Sequence, residues 1–399
     1  MEHTQGLTLV IIGLMVLAGY VAQWTGARIH IPKVTILLVI GAICSPSVTG
    51  LIPVQAEEWF PFVAHMALAM IGFLLGENFV ASKIKKMGKK IIWITLGESL
   101  MAAIVVFAVL MLVGAPMPLA LVLAGIAPAS APAAIFETVR EGNAKGPLTD
   151  TLLGVVAIDD ALGVVLFSIL LVAAQGVAGE GTHLGEIGRG LWEVGAGIGV
   201  GIAVGFPMAW VTKRVRKGQP TLVEAAGFVF LSAGVASAIG GSYLLACMVM
   251  GVVVANVTKE STRAFNEIEH VREPFLAVFF VLAGYKFDLD TLMALGLIGL
   301  AYIIARAAGL ISGGFLSGWM SGAEPDVKNR IGFCILPQAG VALGFALLVQ
   351  ERLPDTGAKV LPLVIATTVL FEIIGPLVAR YHLKKAGEFS SGGDNGGGA

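Results

Sequence analysis

The sequence predicts an all-α integral membrane protein with about thirteen transmembrane helices, inverted repeats and two broken helices that cross near the membrane centre. Of the 399 residues, 56% are hydrophobic, and the mean hydropathy is +0.87. Only 13% are charged, against about 25% in soluble domains. Long apolar runs recur along the chain, and prolines interrupt one run in each half. These observations together favour a membrane-embedded helical bundle.

Charged and Gly/Pro-rich joints divide the chain into thirteen apolar segments. Most are close to the roughly 20 residues that a helix needs to cross the hydrocarbon. They lie at 6–23, 33–50, 62–80, 91–113, 118–140, 151–176, 190–211, 221–237, 241–256, 265–287, 291–318, 330–350 and 359–383.

The distribution of basic residues tests this count, because short cytoplasmic loops carry an excess of Lys and Arg. With the N-terminus outside, 21 of the 26 basic residues fall in inside loops or the C-terminal tail, and four fall outside. We therefore expect a multi-pass protein of the cell (inner) membrane of a prokaryote, with the C-terminus inside. Residues 1–385 form a single transmembrane unit, and the Gly/Ser-rich segment 386–399 is expected to be a disordered tail.

Charge and cysteine content exclude other classes. The net charge is −1 and the chain has no basic arm, so we expect membrane lipids and no nucleic acid as partners. Cys44, Cys247 and Cys334 lie in apolar stretches without metal-ligand spacing. They are expected to be inert thiols, and no cofactor is implied.

Two adjacent aspartates, Asp159 and Asp160, lie in the sixth segment, "GVVAIDDALGVVLFSILL". A carboxylate at this depth costs about 2.5 to 3.5 kcal/mol on insertion scales, which indicates a functional role. Neighbours on a helix project about 100° apart, so one can face a partner while the other faces a cavity. The carboxylate without a partner can hold either a proton or a small cation.

Arg306 lies near the middle of the eleventh segment, where a guanidinium cannot shed its proton. It therefore needs an anionic partner. If Asp159 is that partner, Asp160 remains for an ion. The other candidates are Asp160, Glu98, Glu372 and Glu224. A structural ion pair that only fixes helix packing is the alternative interpretation.

The segment before the aspartates is interrupted by Pro128 and Pro132, each of which removes one amide hydrogen from the helical ladder. The carbonyl groups of Ala124 and Pro128 are thereby freed, and Ser130 adds a hydroxyl. Irregular backbone at membrane depth is tolerated only where it lines protein or water. The pattern therefore predicts an ion site, with a simple proline kink as the alternative.

A second interruption lies in the other half of the chain, at Pro337 and Gln338. Interrupted segments in corresponding halves indicate inverted repeats around a midplane site. The helices that follow the two breaks differ, because the first carries the aspartate pair and the second carries only Glu372. Glu98, Glu372 and Gln338 are therefore candidate accessory residues.

The broken "APASAP" segment, the "IDD" helix, the "FFVLAGYKFDLD" segment, the basic Arg306 and "LPQAGVALGFA" together resemble the monovalent cation:proton antiporter superfamily, specifically its two-aspartate sodium/proton branch. The resemblance covers residues 6–385 and implies a homodimer whose core bundle moves like an elevator. It implies a core at 62–176 and 291–383, dimerisation or scaffold helices at 6–50 and 190–256, and a linking helix at 265–287.

By this resemblance, Asp160 carries the cation or proton, with Asp159 as second ligand of Na+, and Asp159 is tied to the basic residue by a salt bridge. Two-aspartate exchangers usually have Lys where this chain has Arg306. Because Arg does not release its proton, the resemblance leaves the transport stoichiometry open.

We therefore expect a secondary transporter that exchanges Na+ or Li+ for H+ and takes part in pH homeostasis. The alternatives are a K+/H+ exchanger of the same superfamily and a sodium-coupled organic anion symporter on a related fold. An enzyme is not expected, because an intramembrane aspartyl protease needs its two aspartates on different helices. His65 and His270 are candidate pH sensors, with ordinary solvated histidines as the alternative.

Overall fold

Fifteen α-helices make up almost all of the chain that the computed structural model describes, which is residues 2–29, 33–45, 48–53, 59–178, 183–214, 222–258, 261–287, 289–338 and 340–389. No β-strand lies within these ranges. The helices are α1 (Glu2–Ile29), α2 (Lys33–Ile43), α3 (Phe60–Gly76), α4 (Ala81–Leu112), α5 (Met117–Ile126), α6 (Pro132–Glu141), α7 (Pro147–Ala178), α8 (His183–Thr212), α9 (Leu222–Ala238), α10 (Tyr243–Val257), α11 (Ser261–Tyr285), α12 (Leu289–Met320), α13 (Pro325–Cys334), α14 (Gly340–Arg352) and α15 (Pro354–Lys385).

Six helices of the described chain contain stretches that are long and apolar enough to cross a membrane, at Thr8–Gly26, Gly88–Leu112, Pro147–Ala178, Trp192–Thr212, Gly296–Met320 and Pro354–Lys385. Five shorter apolar helices, α2, α3, α5, α9 and α10, lie among them. The predicted all-α, multi-helix fold class is confirmed.

The start of the apolar part of α4 is set by Gly88, whose φ of 81° lies in the region that favours glycine. The backbone changes direction there. The lysine-rich stretch before Gly88 therefore runs in a different direction from the apolar stretch Gly88–Leu112.

One group of helices packs around α10, which contacts both α3 and α8. Gly76 of α3 meets Gly251 of α10, so the two backbones approach closely. α3 also packs on α11. The small residues Gly76 and Gly251 thus fit α3 against α10, and the division of the chain into core and scaffold stays a prediction.

A second group contains α4, α5, α7, α12, α13, α14 and α15. α12 runs along α4, where a Cβ on Gly313 would lie 2.7 Å from the Cα of Glu98. Phe167 of α7 stacks on Phe345 of α14 with ring centroids 4.3 Å apart. The second group therefore holds the aspartate helix between the two interrupted segments.

Replacing Gly201 by Ala is expected to destabilise the protein by about 1–3 kcal/mol, because the added methyl group overpacks the contact between α8 and α10. That methyl group would lie 2.5 Å from the Ala246 carbonyl oxygen and 3.0 Å from the Met250 nitrogen. Gly199→Ala is the matched control on the same helix, since a Cβ there has no atom within 4 Å. Thermal unfolding in detergent measures both, and equal midpoints for the two variants would contradict the prediction.

The N-terminus of α7 is capped from the far end of the chain. The Glu388 carboxylate accepts hydrogen bonds from the backbone nitrogens of Leu148, at 2.8 Å, and Thr149, at 2.7 Å. The Thr149 hydroxyl donates a further bond at 2.8 Å. These contacts satisfy amides that a helix leaves without internal partners. Residues 386–389 are thus fixed on α7, contrary to the expected disorder of 386–399, while 390–399 lie outside the described residues.

Candidate functional site

Two helix breaks lie at the centre of the second group. α5 ends at Ile126 and α6 begins at Pro132, and the intervening residues follow no helical path. α13 ends at Cys334 and α14 begins at Gly340. The breaks occur where Pro128, Pro132 and Pro337 remove backbone donors, as the proline positions predict.

Arg306 joins the two breaks. Its Nε donates to the Ala127 carbonyl oxygen at 3.0 Å, and its Nη2 donates to that of Ala129 at 2.9 Å. Its Nη1 donates to the Leu336 carbonyl oxygen at 2.9 Å. The guanidinium carbon lies 4.4 Å from the centroid of the Phe371 ring, within reach of a cation–π interaction. The side chain is 0% exposed, so its charge is held by carbonyl dipoles and a ring face.

The expected salt bridge between Arg306 and Asp159 is not formed. Within the described part of the chain, no carboxylate oxygen lies within 4.0 Å of the guanidinium. Glu98 and Asp159 are near enough to act on its charge at longer range. The physical reason is that carbonyl groups at the breaks already occupy the planar donor fork of the arginine.

Asp159 and Asp160 are buried side by side on α7, at 0% and 3% exposure. Asp159 Oδ1 accepts a hydrogen bond from the Asp160 backbone nitrogen at 2.7 Å. Ser130, in the first break, lies against both residues, with its hydroxyl next to Asp159 and its backbone amide next to Asp160. Among the described residues, Asp159 Oδ2, Asp160 Oδ1 and Ser130 Oγ have no hydrogen-bond partner. Oxygen atoms of this kind are the ligands of hard cations.

Glu98 extends this site from α4. Its side chain is 0% exposed, and its Oε1 accepts a hydrogen bond from the Ser99 hydroxyl at 3.1 Å. Its Oε2 has no partner in the described chain. Glu98 lies within electrostatic reach of Asp159, Asp160 and Arg306. We call Glu98, Asp159 and Asp160 the buried carboxyl cluster.

The buried carboxyl cluster has more acidic groups than the single guanidinium can neutralise. Three ionised carboxylates beside one Arg306 would leave two uncompensated negative charges in a medium of low dielectric constant. Burying unpaired charge is strongly unfavourable. The cluster therefore cannot remain fully ionised unless protons or cations compensate its charge.

The other candidate residues lie around this centre at different distances. Gln338, in the second break, is 0% exposed, and neither amide atom has a partner within the described chain. Gln338 lies beside Tyr302 of α12. Glu372 of α15 accepts a hydrogen bond from the Thr35 hydroxyl of α2 at 2.5 Å. Glu372 thus joins α15 to α2 and does not contact Arg306. Glu224 lies near Thr212 and Arg263, away from the cluster.

The sequence reasoning missed the partners of Arg306, namely the carbonyl groups of Ala127, Ala129 and Leu336. It named the carbonyl groups of Ala124 and Pro128, which the prolines free from the helical ladder and which remain predicted ion ligands. A signal was present in the sequence, because a buried arginine with five donors and two broken helices with free acceptors complement each other.

The chain as a whole is similar to known antiporters. The family model described as "Sodium/hydrogen exchanger, transmembrane" matches residues 12–384. The K(+)/H(+) antiporter subunit KhtU of Bacillus subtilis is 22% identical over 399 residues, which cover 92% of each chain. The ammonium/H(+) antiporter subunit AmhT of Alkalihalophilus pseudofirmus is 19% identical over 378 residues, which cover 94% of this chain and 95% of the relative.

A solved structure has the same fold. The sodium proton antiporter of Methanocaldococcus jannaschii at pH 8 superposes with a TM-score of 0.75 at 20% identity, covering 96% of this chain and 99% of that one. The similarity extends over nearly the whole length of both proteins.

Proposed function

Because the chain belongs to the transmembrane sodium/hydrogen exchanger family, and so is a multi-pass cation/proton antiporter, we propose that it exchanges Na+ or Li+ for H+. The single observation that carries this proposal is the aspartate pair. Asp159 and Asp160 are buried at a helix break with oxygens that have no partner in the described chain. Such oxygens can hold a cation or a proton but cannot remain bare.

In the proposed cycle, Asp160 binds the cation and the proton in turn. Ser130 and the freed carbonyl groups of Ala124 and Pro128 supply further oxygen ligands to the cation. Asp159 orients the site through its bond to the Asp160 amide. Arg306 keeps its charge throughout, because a guanidinium does not deprotonate in proteins. It therefore fixes the two breaks relative to each other and does not carry a transported proton.

The two helix groups support alternating access by an elevator movement. In this proposal the second group carries the site, and the group around α10, which includes α3, is the scaffold of a homodimer. Counting α5 with α6 and α13 with α14 each as one broken span, we propose thirteen spans. The proposed orientation places the N-terminus outside and the C-terminus inside a prokaryotic cell membrane, as the lysine and arginine distribution favours.

Potassium and ammonium are the second candidate substrates. The observation that favours them is the pair of relatives whose names specify K+/H+ and ammonium/H+ exchange. Both relatives match more than nine-tenths of this chain, so their printed substrates are relevant candidates for the same site.

The test is a transport assay in proteoliposomes that contain the purified protein and a pH-sensitive dye. Na+, Li+, K+ and ammonium are added in turn to vesicles with an acidic interior, and alkalinisation of the interior reports exchange. Because ammonia crosses bilayers unaided, each response is compared with vesicles that contain the Asp160→Asn variant. We expect a response to Na+ and Li+. A response to K+ or ammonium alone assigns the second candidate, and no response to any cation overturns the proposal.

Competition at one carboxylate also predicts how cation affinity depends on pH. Protonation removes the anionic ligand, so the apparent cation affinity should weaken as pH falls, by about tenfold per pH unit for one competing proton. The measurement is the half-saturating cation concentration at several pH values, with equal pH on both sides. An affinity that stays constant between about pH 6 and 8.5 would contradict competition at a group that titrates in that range.

A further inference from the structure

Two ion pairs join the end of α14 to the scaffold helices. His65 Nδ1 of α3 lies 3.5 Å from Glu351 Oε1. Arg352 Nη2 lies 3.3 Å from Glu193 Oε1 of α8. Glu351 and Arg352 are consecutive residues at the C-terminal end of α14. The same short stretch therefore contacts two different scaffold helices. We call His65, Glu193, Glu351 and Arg352 the α14 clasp.

The surroundings of His65 define how its charge acts. Its ring is stacked at a tilt on Tyr243 of α10, with centroids 4.4 Å apart. His65 Nδ1 also lies 2.7 Å from the carbonyl oxygen of Pro61. A carbonyl only accepts hydrogen bonds, so Nδ1 carries the hydrogen and Nε2 is the nitrogen that gains a proton. The resulting positive charge faces Glu351.

The other charged groups near His65 complete the α14 clasp. Glu351 is also within reach of Arg352, and both act electrostatically on Tyr243. No other carboxylate oxygen lies within 4.0 Å of the His65 ring nitrogens in the described part of the chain. Among the described residues, Glu351 is therefore the carboxylate that a positive charge on the His65 ring attracts.

The two sides of the α14 clasp belong to different helix groups. α14 begins at the second break, and its Phe345 stacks on Phe167 of the aspartate helix. α3 and α8 instead approach α10 at glycines, backbone against backbone. The ion pairs thus cross the boundary between the group that carries the buried carboxyl cluster and the scaffold. Any sliding of one group past the other has to separate them.

We propose that His65 is a positioning residue for transport, which acts through Glu351 to hold α14 against the scaffold in the conformation described. Resting on the proposed exchange function, this inference assigns the α14 clasp to a step that limits the maximal rate. A positive charge on the His65 ring strengthens the contact with Glu351, and a neutral ring weakens it. Histidine is the side chain whose charge ordinarily changes between pH 5 and 8.

The test distinguishes an effect on the movement of the helix groups from an effect on ion binding. Exchange is driven by a gradient of the cation that the wild-type protein transports, with equal pH on both sides, and the maximal rate and half-saturating concentration are measured from pH 6 to 8.5. Partly exposed ion pairs of this kind change rates by roughly twofold to fivefold. We therefore expect the wild-type maximal rate to fall by about threefold from pH 8 to pH 6. In His65→Gln this fall should disappear, while the pH dependence of the half-saturating concentration is unchanged.

Two further variants keep the test decisive. His270→Gln is the matched control, because His270 Nδ1 also lies close to a carbonyl oxygen one turn back, that of Asn266 at 2.6 Å. It has no carboxylate within 4.0 Å in the described chain, and should retain the wild-type profile. Glu351→Gln removes the other partner and should flatten the profile as His65→Gln does, with no further change in the double variant.

The outcomes distinguish this inference from the proposed function. A wild-type protein without exchange would overturn the proposed function. Normal wild-type exchange, with a His65→Gln profile that keeps its fall at low pH, would overturn only the role of His65. An equal loss of rate at every pH would indicate a merely structural contact and would overturn it as well.

Discussion

Asparagine at position 160 is expected to reduce cation/proton exchange to the background of protein-free liposomes. The Asp160→Asn variant keeps the size of the side chain but removes the charge that we propose binds the cation and the proton. Asp160 Oδ1 has no hydrogen-bond partner in the described chain, and the amide oxygen of asparagine can still accept a hydrogen bond from the Ser130 backbone. The protein should therefore remain folded, with an unfolding midpoint in detergent equal to or above that of the wild type.

Asp150→Asn is the matched control for this prediction. Asp150 lies in the first turn of the same helix, and its side chain is exposed. The control should transport at the wild-type rate. Substantial exchange by Asp160→Asn at saturating cation would place the ion site elsewhere in the buried carboxyl cluster.

Removal of the Arg306 side chain is expected to destabilise the protein by about 3–5 kcal/mol, the range for uncompensated buried charge. Arg306→Ala leaves the carbonyl oxygens of Ala127, Ala129 and Leu336 without their donor, and each is buried. Among the residues that act electrostatically on Glu98 and Asp159, Arg306 is the only cation, and the substitution removes it. Thermal unfolding in detergent measures the loss.

Arg306→Lys tests whether charge or shape is required. An ammonium group retains the charge but cannot reproduce the planar fork that reaches both breaks. We expect an intermediate loss of stability, about 2 kcal/mol of unfolding free energy, because buried carbonyl groups lose hydrogen bonds while the positive charge remains. Arg330→Lys is the control, because Arg330 forms an exposed pair with Asp326 at 2.9 Å, which contributes at most about 1 kcal/mol. Similar unfolding midpoints for Arg306→Lys and Arg330→Lys would show that position 306 needs only a positive charge.

The breaks in the helices could be predicted from the sequence because their cause is local. Pro128 and Pro132 are four residues apart, so they remove two donors from the same stretch of the ladder. Pro207 and Pro274, in contrast, lie inside continuous helices. A proline alone therefore does not predict a break, although all three prolines at the two breaks contribute to them.

The partners of Arg306 could not be predicted in the same way, because they are not local. The Leu336 carbonyl is 30 residues from Arg306, and that of Ala127 is 179 residues away. A count of charges favoured a carboxylate partner, whereas the structure places three carbonyl oxygens around the fork. The packing of α3 could not be predicted for a related reason, since its length and hydropathy fit either helix group, whereas its contacts with α10 and α11 come from distant parts of the chain.

The cap on α7 also affects the order in which the protein can mature during synthesis. Glu388 is 240 residues beyond Leu148, and its carboxylate accepts a hydrogen bond from the Leu148 amide. At ribosomal speeds of about 5–20 residues per second, roughly 10 to 50 s pass between the appearance of the two partners. During that interval the first amides of the aspartate helix lack this carboxylate cap, while neighbouring helices are still being inserted. The cap is therefore among the last contacts that a nascent chain can make, and premature termination before Glu388 would leave the first turn of the aspartate helix without it.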